Sequence, residues 1–344
     1  MIKHIEELIK SKLNILEMII TRAPHRVSYF GGGSDMIDHF TQQSCHSNVF
    51  GSAIRLYSYI AIVEPKVATK SQFRLSYNRV EEANDYKDIE HDLFRETLKH
   101  FKINESLHIS TFSDVPAGTG LGSSSAFLVA LIKALSIYKG MNLSNESIFE
   151  YSVEIERNVC KHEGGVQDQY WATFGSIGIV EFKKDLKFNF NDALKIRESF
   201  SKKSFLIYLK GERSSESQQK KANASNDINE HRNSLSNISL DFWNNFNKKN
   251  SLNNFNNLFK GYLNQSWELK KKNIKLNENF SNLLDLLEKN QISFKLCGAG
   301  GTGFLYTFLD DKNSEEINKL IGSLKGDYKL LPMKIDTKGV MQIF

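Results

Sequence analysis

Three glycines and three serines fall within eight residues of the run Pro116-Ala117-Gly118-Thr119-Gly120-Leu121-Gly122-Ser123-Ser124-Ser125. Glycine lets backbone N–H groups turn toward a ligand without side-chain obstruction. The apolar run that follows, Ala126–Tyr138, reads as a buried helix. A helix N-terminus adds unpaired donors and partial positive charge. Together these make a cradle for nucleotide phosphates, to which serine hydroxyls add donors or metal contacts. The run is not a Walker loop, because no lysine lies between Gly118 and Ala126. It is not a dinucleotide fingerprint either, because serine stands at position 123 where a third glycine is needed. The bland alternative, a glycine-rich turn that only packs, leaves the three serines unexplained.

Two carboxylates stand on the segments that follow this loop. Glu156 lies on a stretch with helical spacing, Asn145–Val159, and Asp168 follows a turn containing Gly164 and Gly165. Phosphoryl transfer needs neutralised phosphate charge and an oriented hydroxyl. A magnesium ion takes one or two carboxylates, a hydroxyl and phosphate oxygens, which Glu156 with Ser124 or Ser125 can supply. Acids on an amphipathic helix are ordinarily only solvated, so spacing alone does not single out Glu156. His25, His39, Cys45 and His46, like Cys160 and His162, fit no zinc spacing and read as packing residues.

The secondary structure around these residues follows from pattern. Ile19–Thr21 and Arg26–Phe30 read as extended, interrupted by Pro24 and followed by Gly31–Gly33. Ile54–Val63 and Leu107–Phe112 read as strands, and Trp171–Val180 as a further strand with Gly175 and Gly178 as turns. Residues 222–290 turn rich in Asn and Lys, yet Leu252, Phe255, Phe259, Tyr262 and Leu263 keep helical spacing, so helices are expected. The end of the chain reads helix–strand–strand–helix–strand–strand, from Phe294–Leu296 and Phe304–Leu309 to Ser314–Leu324, Lys329–Ile335 and Val340–Phe344. That is an α+β layering.

The chain has 344 residues, enough for two domains. With 40% hydrophobic and 25% charged residues it reads as a soluble globular protein. No apolar run approaches a membrane span, and Met1–Ile20 is amphipathic rather than a signal peptide. Three widely spaced cysteines exclude a disulfide framework and suit a reducing cytoplasm. A net charge of +5 suits anionic small molecules, and no basic stripe interleaved with aromatics points to nucleic acid.

The run Pro116–Ala126 resembles the second motif of the GHMP kinases, the superfamily of galactokinase, homoserine kinase and mevalonate kinase. Ala23-Pro24-His25-Arg26 through Gly33-Ser34-Asp35 resembles its first motif, and Leu296-Cys297-Gly298-Ala299-Gly300-Gly301-Thr302-Gly303 its third. The segments at Arg74–Tyr77, Glu154–Tyr170 and Gly211–Ser217 are most similar to kinases acting on D-glycero-D-manno-heptose 7-phosphate, a pattern partly shared by fucose-type kinases. The resemblance covers residues 19–344; residues 1–17 precede the usual family start, as a genuine helix or a start-site ambiguity.

The resemblance implies an α+β, two-domain GHMP kinase fold. Its ribosomal-protein-like ATP-binding domain would span 19–198, and a ferredoxin-like domain 199–344. It implies transfer of phosphate from ATP, with Mg²⁺, to the anomeric hydroxyl of a sugar 7-phosphate. Pro116, Gly118, Gly120, Leu121, Gly122 and Ser123–Ser125 would hold the nucleotide, and Ser124 and Glu156 the metal. Asp168 would orient the hydroxyl, with Arg26 facing it. Gly32, Gly33, Asp35, Gly300, Gly301 and Arg213 would meet the substrate. The loose transition state requires little deprotonation of the nucleophile, so Asp168 would orient more than deprotonate. Gly32 and Gly33 stand where galactokinase has Glu and His, which argues against galactose. Other readings are a fucose-like or hexose kinase, and a non-catalytic sugar or nucleotide sensor.

Overall fold

The computed structural model describes residues 18–67, 69–210, 228–249, 254–272, 280–298, 303–309, 314–324 and 328–344. Gly300, Gly301, Arg213 and the expected helix ahead of residue 18 lie outside these residues.

Two long strands, β1 (Ile19–Phe30) and β2 (Asn48–Val63), form the spine of an eight-stranded sheet. The short helix α1 (Ile37–Phe40) lies between them. Pro24 does not divide β1 as its missing N–H suggests. The strand runs through, with a register shift between Pro24 and His25 that absorbs the lost donor. β3 (Phe73–Ser76), β4 (Val80–Ala83) and β5 (Leu107–Ser113) extend the sheet as β1-β2-β5-β3-β4. β3 and β5 run parallel, and α2 (Asp92–His100) lies in the connection between β4 and β5.

α3 (Ser123–Tyr138) is apolar around nearly its whole circumference, and it packs on β1 and β2 with α4 (Asn145–Val153) and α5 (Gln167–Phe174) against it. The expected helix over 145–159 changes winding at its end: Glu154–Val159 is a π-helical turn. The expected strand from Trp171 is overturned at its start. Tyr170, Trp171 and Phe174 favour strands individually, but they belong to α5 and pack on an aromatic cluster with Phe149 and Phe188. Gly175 ends α5 at a φ of +71°, where a side chain would meet the backbone of Gly339. The strand proper is β6 (Ile177–Phe182), which pairs with β2 and with β7 (Phe188–Asp192).

A second, wholly antiparallel sheet has the order β11-β8-β10-β9, from β8 (Ser204–Leu209), β9 (Ser293–Leu296), β10 (Gly303–Phe308) and β11 (Leu330–Pro332). The helices that follow are α6 (Arg197–Lys203), α7 (Ile228–Lys249), α8 (Phe255–Lys271), α9 (Ser281–Lys289) and α10 (Ser314–Gly322), of which α7 packs on β1, β2 and β6 of the first sheet and on α8. The described parts of the Asn-rich stretch are helical as their spacing predicts, and Leu252 lies outside the described residues. Phe242, Phe246, Phe255, Phe259 and Leu263 are buried, while Asn244, Asn247 and Asn257 are exposed. The closing strand β12 (Met341–Gln342) returns to pair with β1, the first strand of the described residues. Lys295 also joins the two layers. It lies in β9, and its Nζ donates to the Tyr29 carbonyl of β1 at 2.7 Å and to Ser266 Oγ of α8 at 2.8 Å. Burial pulls its pKa down to about 8.

Candidate active site

The glycine–serine run leaves β5 and enters α3 through three left-handed glycines, Gly118, Gly120 and Gly122, at φ of +73°, +84° and +72°. Ala126 N–H makes the first helical bond, to Gly122 O at 3.0 Å. The N–H groups of Ser123, Ser124 and Ser125 precede it, at the end of the helix where an anion is favoured. All three serines line a cleft of about 510 Å³. The loop is held by backbone on two sides. Arg26 N–H donates to Leu121 O, and Phe304 N–H to Thr119 O, each at 3.0 Å. A side chain on Gly120 would stand 2.6 Å from Cys297 O, and one on Gly298 would overlap Gly120. The third glycine motif is therefore packed directly on the second. The Leu121 side chain points away from the cleft, buried with Val27 and Val115. Pro116 is exposed, while Ala117 and Gly118 line the cleft and Pro116 does not.

Arg26 and Asp168 come together across the mouth of this loop. Arg26 donates from Nε to Asp168 Oδ1 at 2.7 Å and from Nη2 to Oδ2 at 2.8 Å. Its Nη1 holds Gly120 O at 2.5 Å. Such a two-pronged pair fixes the plane of the carboxylate as well as its position. Gly122 leaves room for it, since a Cβ there would sit 3.2 Å from Asp168 Oδ2.

Glu156 is 2% exposed and reaches the cleft from the π turn. Such turns often mark functional positions. Ser125 Oγ donates to its Oε2 at 2.7 Å, and Gln169 Nε2 to the same oxygen at 2.6 Å. Ser125 thus orients the carboxylate, leaving the exposed Ser124 as the hydroxyl available to a metal. Among the described residues no group of three or more His, Cys, Asp or Glu could hold a metal by itself. One buried carboxylate and one exposed hydroxyl beside a phosphate cradle suit a magnesium ion that completes its shell from phosphates and water.

The Asp35 side chain is held by protein groups. It is 1% exposed and does not line the cleft. It accepts from Gly33 N at 2.9 Å, Gln167 N at 3.0 Å and Gln167 Nε2 at 2.9 Å. Its backbone carbonyl receives Val166 N–H at 3.0 Å. A side chain on Gly165 would run into its carboxylate. Gly33, at φ +104°, and Asp35 therefore brace the turn that leads into Asp168. Burial pushes the Asp35 carboxyl above its usual range, with the Asp168 charge adding to the effect. Gly32 sits behind the same turn, against Ser28 and Gln167.

Gln167 and Gln169 flank Asp168, and each serves one of the other carboxylates. The signal for them is three polar residues opening a helix that is otherwise aromatic and apolar, and the strand-like second half of that segment obscures it. Tyr77, Asn78, His91 and Phe127 line another part of the cleft. The histidine and cysteine clusters hold protein groups. His39 pairs with Asn229 at 3.0 Å and His162 with Asp92 at 2.6 Å. Burial pushes the Cys160 thiol up to about 12.

Residues 90–176 match the family model of the GHMP kinases N terminal domain. Over 179 residues the chain is 34% identical to the D-glycero-alpha-D-manno-heptose 7-phosphate kinase of Campylobacter jejuni, covering 48% of this chain and 51% of that one. It is 27% identical to the galactokinase of Thermosipho africanus over 173 residues, 49% of this chain and 47% of the relative. The match thus spans about half the length of these curated relatives. A crystal structure described as a D-glycero-D-manno-heptose 1-phosphate kinase from Bacteroides thetaiotaomicron superposes with a TM-score of 0.73 at 21% identity, covering 95% of this chain and 99% of the other. That likeness establishes the fold. Among the described residues no helix is long and apolar enough to cross a membrane.

Proposed function

We propose that this chain, which carries a GHMP kinase N-terminal domain in the GHMP kinase fold, transfers the γ-phosphoryl group of ATP to the anomeric hydroxyl of a heptose 7-phosphate. The product would be the 1,7-bisphosphate, feeding nucleotide-activated heptose synthesis. The observation that carries the kinase reading is the Arg26–Asp168 pair standing at the cleft beside the open helix end Ser123–Ser125. The likeness to the Campylobacter heptose-phosphate kinase supports the choice of acceptor.

In this reading the N–H groups at the start of α3 hold the nucleotide phosphates. Tyr77, Asn78, His91 and Phe127 face the base. Asp168 accepts a hydrogen bond from the acceptor hydroxyl and aims its oxygen at phosphorus. Arg26 keeps that carboxylate in its plane. Because a loose transition state needs little proton removal from the nucleophile, orientation is the larger contribution. Asp35 and Gln167 act on Asp168 indirectly, by fixing the turn before α5. A magnesium ion would be held by Glu156 and Ser124, and it would supply charge neutralisation on the phosphates. We assign residues 19–198 to nucleotide binding and 199–344 to the second domain, and place the protein in the cytoplasm.

Purified protein with ATP, Mg²⁺ and a panel of sugars and sugar 7-phosphates tests the proposal, with ADP release and phosphorus NMR of the product as readouts. Heptose 7-phosphate should be the preferred acceptor. Turnover of free hexoses alone would replace it with a fucose-like kinase. Nucleotide binding without turnover of any acceptor would favour a sensor.

A further inference from the structure

The geometry points to Arg157 as a catalytic residue whose guanidinium meets the phosphoryl group in transit, an inference that rests on the kinase reading above. The charge distribution of the cleft motivates it. Among the described residues three carboxylates line the cleft, Glu156, Glu163 and Asp168, against two guanidiniums, Arg26 and Arg157. A phosphoryl group carries its charge on equatorial oxygens during transfer and requires cationic donors there. Arg26 is committed: Nε and Nη2 hold both oxygens of Asp168 and Nη1 holds Gly120 O.

Arg157 is engaged more loosely. Nε donates to Gly165 O at 3.1 Å, and Nη1 to His162 O at 3.3 Å and Glu163 O at 3.4 Å. These are neutral carbonyls, and Glu156 Oε1 stands 3.6 Å from Nη1. Nη2 makes no hydrogen bond among the described residues, and it is not among the buried polar atoms lacking a partner. Nη2 is therefore accessible and unbonded among the described residues, on a side chain that lines the cleft with Ser124, Glu156 and Asp168. The π turn matters here. Neighbours on an ordinary helix diverge by about 100°, yet Glu156 and Arg157 both line this cleft from the widened turn. Gly164 completes the arrangement, since a Cβ there would stand 2.9 Å from Nη2.

In the step so assigned, the acceptor oxygen forms its bond to the γ-phosphorus as the bond to the ADP oxygen breaks. The hydroxyl proton leaves toward Asp168 or water, and ADP carries away the electron pair of the broken bond. Arg157 Nη2 donates to a non-bridging oxygen of the moving group throughout and is unchanged at the end.

The test compares wild type with Arg157→Gln and Arg157→Lys, using the acceptor that the wild type turns over. An interaction made in the transition state lowers kcat and spares KM. Loss of one such donor costs about 10²–10³-fold. The expected result for Arg157→Gln is a fall in kcat of that size with KM for ATP within about threefold. A second measurement is the gain in ADP affinity on adding aluminium fluoride, which mimics the planar phosphoryl group. Arg157→Gln should lose that gain while ADP alone binds as in wild type. Loosening of the 162–165 turn would weaken ADP and the mimic together, and that outcome overturns the assignment. A kcat near wild type overturns it too. If the glutamine variant does not fold, Arg157→Lys decides on the same readouts, because a lysine keeps the charge and loses the fork. A wild type that transfers no phosphate and gains nothing from fluoride removes the kinase reading together with this one.

Discussion

Alanine at Gly120 should damage nucleotide handling far more than alanine at Gly118, although the two substitutions carry the same backbone strain. Both glycines are left-handed, at φ of +84° and +73°, where any side chain costs about 1–2 kcal/mol. Their surroundings differ. A Cβ at Gly118 meets nothing within 4 Å. A Cβ at Gly120 stands 2.6 Å from Cys297 O, 2.8 Å from its carbonyl carbon and 3.1 Å from Gly298 N. All three are backbone atoms, so no rotamer change relieves the contact. To reach an ordinary 3.4 Å the two loops must separate by about 0.8 Å. Gly120 O is also the acceptor of Arg26 Nη1, so the displacement reaches the Arg26–Asp168 pair. A misplacement near 1 Å costs about 10²-fold in rate. Steady-state kinetics with ATP varied, beside thermal unfolding of each variant, measures both effects. Gly120→Ala should lose about 100-fold in kcat/KM and Gly118→Ala less than about fivefold, with Gly118→Ala less stable by about 1–2 kcal/mol and Gly120→Ala by about 1–3 kcal/mol more than that. Equal kinetic losses in the two variants would show that the contact between the glycine motifs does not position the site.

Gln169→Leu removes one of the two donors that orient Glu156. It should raise the Mg²⁺ concentration for half-maximal activity by about 10–100-fold, read from a metal titration at saturating ATP, while the ionic-strength dependence stays unchanged. His25 makes stability acid-sensitive. Burial, with Arg26 beside it, lowers its pKa from 6.5 to about 4. Below pH 6.5 the unfolded chain takes up a proton that the folded protein refuses until about pH 4, so stability falls across that window. The loss amounts to about 3 kcal/mol in full, and about 2 kcal/mol between pH 7 and pH 5. Urea midpoints at those two pH values should draw closer in His25→Gln. Gly261 lies exposed inside α8, where a Cβ meets nothing within 4 Å, so Gly261→Ala should stabilise by about 0.5–1 kcal/mol in denaturant unfolding.

Elements whose pattern is set by residues close in sequence are legible in the chain itself. α3 is readable because an unbroken apolar run must be buried, and the helices of the Asn-rich stretch because Phe255, Phe259 and Leu263 recur at helical spacing. Trp171 misleads, because aromatic residues fit a strand and a buried helix equally well, and only the packing of Phe149 and Phe188 decides between them. The π turn is invisible for a similar reason: its spacing differs from an α-helix by one residue per turn, less than a short pattern resolves.

The glycine–serine loop and the helix it opens are legible in the chain, because glycine conformational freedom and a helix N-terminus are local properties. How that loop is completed is set by contacts between segments far apart in the chain. The Arg26–Asp168 pair joins residues 142 apart in sequence, Asp35 meets Gln167 across 132, and Ser125 meets Glu156 across 31. No local pattern encodes such contacts. They depend on β1 threading the sheet, on α3 packing behind it, and on Gly120 allowing the third glycine motif to approach at backbone distance. The same packing turned Asp35 into a brace for the turn before Asp168 and brought Arg157 to the cleft beside Glu156, because a side chain's role depends on the neighbours that folding gives it.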